Sequence, residues 1–156
     1  MSLHVTNTEA RTTVRWAALE CEIGDARVAF PTRSVAKLIQ YEIAGPIPLA
    51  ADWVGGIALY SGKPLVSISL WPRGAPRLPR RRFATGVYLE ETVDAPYGLA
   101  VEVVRALGLA EVVAIVEPSA VSRSRLPAWL EEATTSDGRK VGWVNAAALL
   151  SGLSGG

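Results

Sequence analysis

The sequence predicts an all-β fold, and three observations carry that prediction. Apolar and polar residues alternate with a period of two in several short runs, as they do along half-buried strands. Turn residues, chiefly Gly, Pro and Asp, separate these runs at short intervals. An apolar content of 49% in 156 residues favours one domain, or two small subdomains on one core, over disorder. About ten short strands result, an all-β pattern.

The first strand is predicted over residues 16–23, after a polar leader, 1–14, that we expect to be disordered. Alternate residues of this strand should share its buried face, and these are Ala17, Leu19, Cys21 and Ile23. Cys21 is the single cysteine, which excludes an internal disulfide, and we interpret it as a small core residue rather than a reactive thiol.

A central β-hairpin is predicted from two apolar runs, 57–60 and 65–70, joined by residues 61–64. The second run alternates apolar residues with serines, which predicts one buried face and one wet or paired face. Gly55 and Gly56 enter the hairpin without side chains and suit a close backbone approach or a positive φ. The positions that we expect to be buried in these and later strands are Ile57, Leu65, Ile68, Leu70, Val101 and Val103.

The remaining elements follow from turn and capping residues. Residues 40–49 contain one glycine and two prolines and are expected to form a loop. An Asp-Gly turn is predicted at 136–139, and Asn145 should cap a closing helix over 146–150 because its side chain can accept from an early helical N–H. The further strands predicted are 26–30, which Pro31 ends, 83–89, 97–104, 110–116 and 140–144.

Four segments together resemble the CheW-like domains, the adaptors of bacterial chemotaxis. The hairpin has the family's apolar residues and glycines at Gly56, Gly62, Leu65, Ile68 and Leu70. The other three segments are Ile-Gly-Asp-x-x-Val-Ala-Phe-Pro at 23–31, Gly-Leu-Ala-Val-Glu-Val-Val at 98–104, and the Asp-Gly stretch at 137–145. The order and spacing of these motifs extend the resemblance from about Trp16 to Leu153. It implies two small five-stranded SH3-like β-barrels packed on a shared core, with a short C-terminal helix.

The implied CheW-like domain covers residues 15–153. Taken in chain order, its first barrel would run over about 26–71 and its second over about 83–144. The N-terminal strand could be shared with the second barrel. A linker, 72–82, would join the two barrels, and the closing helix would occupy 145–153.

The chain departs from the family pattern at positions near the surface that the resemblance implies for partners. Lys37 stands where the family has Glu, Ser61 where it has Arg, and Leu59 where it has Asn. A partner surface that complements the family's acid should meet Lys37 unfavourably, so a divergent partner is expected. The candidate partner-binding residues are Val35, Lys37, Trp53, Gly56, Ser61, Gly62 and Trp71.

The resemblance implies a non-catalytic adaptor that couples a chemoreceptor to a CheA-type histidine kinase. One barrel face would dock the regulatory domain of the kinase, and a groove between the barrels would hold the cytoplasmic tip of the receptor. No run of about 18 apolar residues and no signal peptide are found, so we expect a cytoplasmic protein without membrane insertion.

The residues themselves argue against catalysis. The single histidine, His4, lies in the leader, where it is badly placed to serve as a base. No phosphate-binding loop, dinucleotide motif or metal-ligand spacing occurs. The adjacent glutamates at 90–91 and 131–132 are interpreted as solvated charge, because neighbours on a strand point to opposite faces. We therefore assign no catalytic residue, metal ligand or cofactor.

Residues 71–82, WPRGAPRLPRRR, interrupt the strand pattern with three prolines and five arginines. The segment is interpreted as a solvated linker, or as a strip that docks an acidic partner. An alternative function follows from it, an SH3- or OB-like barrel that binds single-stranded nucleic acid. The balanced net charge of +1 and the lack of aromatic residues within the arginine run weigh against that alternative. The arginines are Arg73, Arg77, Arg80, Arg81 and Arg82.

Overall fold

The computed structural model describes residues 15–24, 26–47, 53–69, 83–116 and 129–154. These residues form strands, two short 3-10 turns, Thr32–Ser34 and Glu90–Thr92, and one C-terminal helix, so the all-β prediction is confirmed. The strands are β1 Trp16–Ile23, β2 Ala26–Pro31, β3 Val35–Gly45, β4 Val54–Tyr60, β5 Lys63–Ile68, β6 Phe83–Leu89, β7 Gly98–Val103, β8 Arg105–Val116, β9 Leu130–Thr135 and β10 Lys140–Val144. The helix α1 spans Ala146–Ser154.

The strands close into two five-stranded barrels, as the resemblance implied. Barrel one has the order β1-β2-β10-β9-β8, and barrel two has the order β3-β4-β5-β7-β6. Each barrel contains one parallel pair, β2 with β10 in barrel one and β5 with β7 in barrel two. Full closure leaves neither sheet with an open edge.

The two barrels do not follow one another along the chain, as the predicted boundaries of 26–71 and 83–144 assumed. Barrel one takes its strands from both ends of the chain, 16–31 and 105–144, whereas barrel two is built from 35–103. The parallel pairing of β2 with β10 brings the two ends together. Alternation along a strand shows which faces are buried but does not show which strand is its neighbour. The predicted linker, 72–82, lies outside the described residues.

Strand β3 contradicts the predicted loop over 40–49. Residues up to Gly45 belong to the strand, which pairs with β6 from Val35 to Glu42. Ile39 and Tyr41 point into barrel two, so a period of two continues through this segment. The prolines that suggested a loop come only after the strand has ended.

Strand β1 is buried along both of its faces, where one buried face was predicted. Leu19, Cys21 and Ile23 pack on the main hydrophobic core, as predicted. Ala17, at the start of that face, is exposed, and Ala18 on the opposite face belongs to the interior cluster of barrel one. Burial raises the pKa of the Cys21 thiol to about 12, so the thiol stays protonated and unreactive.

One hydrophobic core is shared between the barrels. It contains Cys21 and Phe30 from barrel one, Ile68 and Val101 from barrel two, and Leu149 from α1. Helix α1 begins as predicted, because the Ala148 N–H donates to Oδ1 of Asn145 at 3.1 Å. Smaller clusters fill the interior of each barrel. The two barrels are thus joined by packing as well as by the chain.

The hairpin between β4 and β5 is tighter than the four-residue connection that was predicted. Tyr60 pairs directly with Lys63, which leaves a two-residue turn, Ser61 (φ 51°) and Gly62 (φ 76°). Positive φ at both positions is the type I′ geometry, whose twist matches that of the paired strands. Pro64, which was predicted to lie in the turn, belongs to β5.

Most of the predicted buried positions are confirmed. Leu65, Ile68, Val101 and Val103 are all buried. The prediction for Ile57 is wrong, since 39% of its surface is exposed on the outer face of barrel two. Leu70 lies outside the described residues.

Candidate partner-binding site

The Ser61–Gly62 turn borders a concave pocket of about 190 Å³ at barrel two, which we call the lysine–tyrosine pocket. Strands β3, β4, β5 and β6 contribute to it, together with the residue that follows the 3-10 turn after β6. The residues that line it are Ala36, Lys37, Tyr60, Ser61, Lys63, Tyr88 and Val93.

Two tyrosine rings form the aromatic wall of this pocket. Tyr60 and Tyr88 meet edge to face, with ring centroids 5.8 Å apart and an interplanar angle of 62°, a favoured arrangement for aromatic pairs. Gly98 makes room for the Tyr88 ring, since a Cβ at position 98 would lie 2.6 Å from the Tyr88 hydroxyl oxygen. The wall is therefore fixed by packing.

Lys63 ties the hairpin to the opposite rim of the pocket. Its Nζ donates to the backbone oxygen of Thr92 at 2.9 Å and to that of Val93 at 2.8 Å. Thr92 is itself held, because its Oγ1 donates to the Leu89 oxygen and accepts from the Leu99 N–H. An ammonium group has three donors, so these two bonds leave one of the Lys63 donors for another acceptor.

Lys37 lies at the exposed end of the pocket on β3. Its Nζ is 5.2 Å from the centroid of the Tyr60 ring, within the range of a cation–π contact. No ion pair formed between residues in the described part of the chain involves Lys37. None of the pocket's lining residues is acidic, so the pocket presents two ammonium groups beside aromatic rings.

The structure brings two of the predicted partner-binding residues, Lys37 and Ser61, to this one pocket. Gly62 lies in the same turn as Ser61. Their role in partner binding stays a prediction. Trp71 and the five arginines from Arg73 to Arg82 lie outside the described residues.

The other predicted residues take part in packing. Val35 packs against the shared core. The half-buried Trp53 meets Trp129 edge to face at 5.7 Å. Gly56 has φ 152°, and a Cβ there would lie 2.7 Å from the Gly45 carbonyl oxygen, so the expected close backbone approach is confirmed.

Sequence reasoning missed several residues of the pocket. Tyr60 and Lys63 directly flank the Ser61–Gly62 turn, and that adjacency was a usable signal. Tyr88 and Val93 reach the pocket through the pairing of β3 with β6 and through the 3-10 turn, which no local pattern indicates.

Barrel two also exposes apolar residues on the outer faces of three neighbouring strands, and we call this the barrel-two apolar surface. Leu59 is 67% exposed and pairs with Pro64 on β5. The other exposed apolar residues of this surface are Leu38, Ile57 and Phe83. Leu59 stands where the family pattern has a polar Asn, so this chain is more apolar there than the pattern.

A second group of exposed apolar residues, the barrel-one apolar surface, lies at the start of β8. Leu109 is 81% exposed and faces Leu19 of β1 across the ladder. Val104 and Leu107 are also exposed beside it. Large exposed apolar residues that lie close together in the chain are candidates for an interaction surface.

The described part of the chain contains no group of His, Cys, Asp and Glu residues that could hold a metal ion. It also contains no helix long and apolar enough to cross a membrane.

Comparison with known proteins identifies the family. The family model described as the CheW-like domain matches residues 17–154. A solved structure, the scaffolding protein TtCheW from Thermoanaerobacter tengcongensis, has a similar fold with a TM-score of 0.61 at 13% sequence identity, covering 84% of this chain and 89% of that one. A search of curated protein sequences gives no match. Because the family model covers nearly the whole chain, this protein belongs to the CheW-like domain family.

Proposed function

We propose that this protein is an adaptor that couples a chemoreceptor to a CheA-type histidine kinase through protein–protein contacts alone. The observation that carries the proposal is the pair of apolar surfaces, one on each barrel. An adaptor must bind two proteins at once, and it therefore needs two surfaces. Membership of a family of non-catalytic scaffolds supports the same role.

Such an adaptor holds the receptor and the kinase close together and transmits a change in the receptor to the kinase. Holding receptor and kinase together raises the effective concentration of each at the other. A change in the receptor then alters kinase activity when the adaptor contacts differ between the two receptor states. In the family, one barrel face docks the kinase regulatory domain and the groove between the barrels holds the receptor tip. We propose the same division of labour here.

The experiment is co-purification from the native cell, with the bound proteins identified by mass spectrometry. Leu59→Asp alters the barrel-two apolar surface, and Leu109→Asp alters the barrel-one apolar surface. Val116→Asp is the matched control, an exposed valine at the other end of β8. We expect each surface variant to lose one partner and keep the other, and the control to keep both.

The proposal fails if the wild type recovers neither a histidine kinase nor a chemoreceptor. It also fails if Leu59→Asp and Leu109→Asp both leave recovery of the two partners unchanged, because the apolar surfaces would then have no part in coupling.

We propose further that the partners are divergent members of their classes. Lys37 and Ser61 replace the family's Glu and Arg, and both line the lysine–tyrosine pocket. A kinase regulatory domain that complements an acid at position 37 should be repelled by a lysine there. Wild type should bind a standard kinase regulatory domain poorly, and the double variant Lys37→Glu with Ser61→Arg should bind it more tightly. Tight binding by wild type, with no gain in the double variant, would show that the two positions do not set specificity.

A further inference from the structure

We propose that the lysine–tyrosine pocket receives the carboxylate of one aspartate or glutamate side chain of the partner protein. This deepens the proposed function, because the acidic side chain belongs to a protein that the adaptor binds. The charge, size and donor groups of the lysine–tyrosine pocket indicate which occupant it can take.

The positive charge of the pocket predicts a negatively charged occupant. The pocket is lined by two ammonium groups, those of Lys37 and Lys63, and by no acidic residue. Lys63 uses two donors on the Thr92 and Val93 oxygens and has one left for a ligand. Lys37 is exposed, and its ammonium nitrogen lies 5.2 Å from the centroid of the Tyr60 ring. A carboxylate that accepts from these groups forms charge-assisted hydrogen bonds, which are the stronger kind.

Size limits the occupant to a single side chain. Pockets for drug-sized small molecules usually measure about 300–1,000 Å³, whereas this one measures about 190 Å³. A nucleotide or a larger metabolite is therefore too big to be enclosed. The Tyr60 and Tyr88 rings supply apolar contact for the methylene groups of an acidic side chain.

The donor set is sufficient for a carboxylate, which carries a single charge. Lysine ammonium groups bind carboxylates and phosphates alike as point charges, and a doubly charged phosphate commonly gains further donors from an arginine fork or a helix N-terminus. The pocket lining includes no arginine and no residue of α1.

The pocket is organised before any partner arrives. The ammonium group of Lys63 is fixed by two backbone oxygens, and Tyr88 is fixed by Tyr60 and by the absence of a side chain at Gly98. Binding then orders Lys37 but needs little rearrangement of the other side chains, which improves affinity for a given set of contacts. A partner with a lysine or arginine at the corresponding place would be excluded by repulsion.

The test uses capped amino acids as probes of side-chain chemistry, independently of any partner protein. The ring signals of Tyr60 and Tyr88 are followed by nuclear magnetic resonance in protein labelled at tyrosine. N-acetylglutamate N-methylamide is titrated, and N-acetylglutamine N-methylamide serves as the uncharged probe of the same shape. We expect saturable shifts of both rings with the glutamate probe and at least about tenfold weaker binding of the glutamine probe.

Variants of Lys37 test whether the glutamate probe binds in the lysine–tyrosine pocket. Lys37→Met keeps the aliphatic stem and removes the charge, and it should weaken binding of the glutamate probe by about tenfold. Lys37→Arg should retain most of the binding. Lys140→Met, on barrel one, is the matched control and should change nothing.

Three results would overturn the proposal: no shift with the glutamate probe, equal binding of the two probes, or an unchanged affinity in Lys37→Met. Much tighter binding of free glutarate than of the capped glutamate would also overturn it, because the pocket would then be a small-molecule site. These outcomes are independent of the co-purification, so the pocket can fail while the adaptor function stands, and the reverse.

Discussion

The two barrels have the same strand number and closure, but barrel one buries a charged side chain and barrel two buries a neutral hydroxyl pair. Barrel one buries a charged group: Glu20, 4% exposed, accepts from Arg27 at 3.3 Å and from Arg139 at 2.5 Å. Barrel two buries a neutral pair: Tyr41 and Ser67 share a hydrogen bond of 2.7 Å. A buried charge is tolerated only when it is paired, whereas a neutral pair needs only one mutual bond.

This difference affects what each barrel offers to other molecules. In barrel one the two arginines are used on Glu20, and Arg139 also donates to Asp137 at 2.9 Å. In barrel two the lysines of the pocket have no acid within its lining. Arg27 and Arg139 are thus engaged within barrel one, whereas the pocket of barrel two presents two lysine ammonium groups at a concave surface.

The largest effect should come from the core that the barrels share. Ile68 is fully buried there, and Ile68→Ala should lower the free energy of unfolding by about 2–5 kcal/mol. Because the core belongs to both barrels, urea unfolding should remain a single transition for near-ultraviolet and far-ultraviolet circular dichroism. Two separated transitions would mean that the barrels are stabilised independently.

The next effect should be specific to barrel one. Glu20→Gln removes the charge that the two arginines face, and it should cost about 1.5–3 kcal/mol, the range for hydrogen bonds to charged groups. Glu22→Gln, two residues along the same strand, is the matched control, because Glu22 pairs with the exposed Arg105 at the surface and such a pair contributes about 0–1 kcal/mol. Equal losses in the two variants would contradict a special role for the buried acid.

The same acid should make barrel one sensitive to pH. The Arg139 hydrogen bond, followed by the charges of Arg139 and the contacts of Arg27, holds the pKa of Glu20 below its usual value, against the opposing effect of burial. A group with a lowered folded-state pKa stabilises the protein above its unfolded pKa of about 4.3, and this contribution is lost as pH falls through the folded pKa. Chemical denaturation at about pH 5 and pH 3 should show a smaller loss in Glu20→Gln than in wild type.

An equal loss of stability in the two proteins over that range would show that other carboxylates dominate acid unfolding and that Glu20 does not set the pH response.

The smallest effect should come from the neutral pair of barrel two. Tyr41→Phe removes one hydroxyl and leaves that of Ser67 buried without its partner, which should cost about 1–2 kcal/mol. Burial raises the pKa of Tyr41, so the hydroxyl stays protonated and the cost should be the same at pH 5 and pH 8. Adding Ser67→Ala should recover part of the loss, since no unpaired hydroxyl then remains. A cost that changes with pH, or no recovery in the double variant, would contradict the neutral-pair account.

Local features of this fold were predictable from sequence, and pairings between distant segments were not. The Ser61–Gly62 turn and the Asn145 cap depend on residues next to them in the chain. The burial of both faces of β1 was not predicted, because alternation indicated a single buried face and the second face is covered only when barrel one closes.

The lysine–tyrosine pocket also contains both residues that could be predicted from sequence and residues that could not. Lys37 and Ser61 were predicted by comparison with the family pattern, whereas Tyr88 and Val93 join them only through the closure of barrel two. The distribution of strands between barrels depends on the parallel pairing of β2 with β10, which no local residue pattern specifies.

The proposed adaptor function requires that this protein joins a chemoreceptor and a histidine kinase that do not bind each other without it. The most direct measurement is co-sedimentation of the receptor cytoplasmic fragment with the histidine kinase recovered from the same cell, with and without this protein. We predict that the kinase sediments with the receptor only when the protein is added, and that adding the Leu59→Asp variant in its place reduces the sedimented fraction. Equal sedimentation of the kinase in the presence and absence of the protein would contradict the adaptor function.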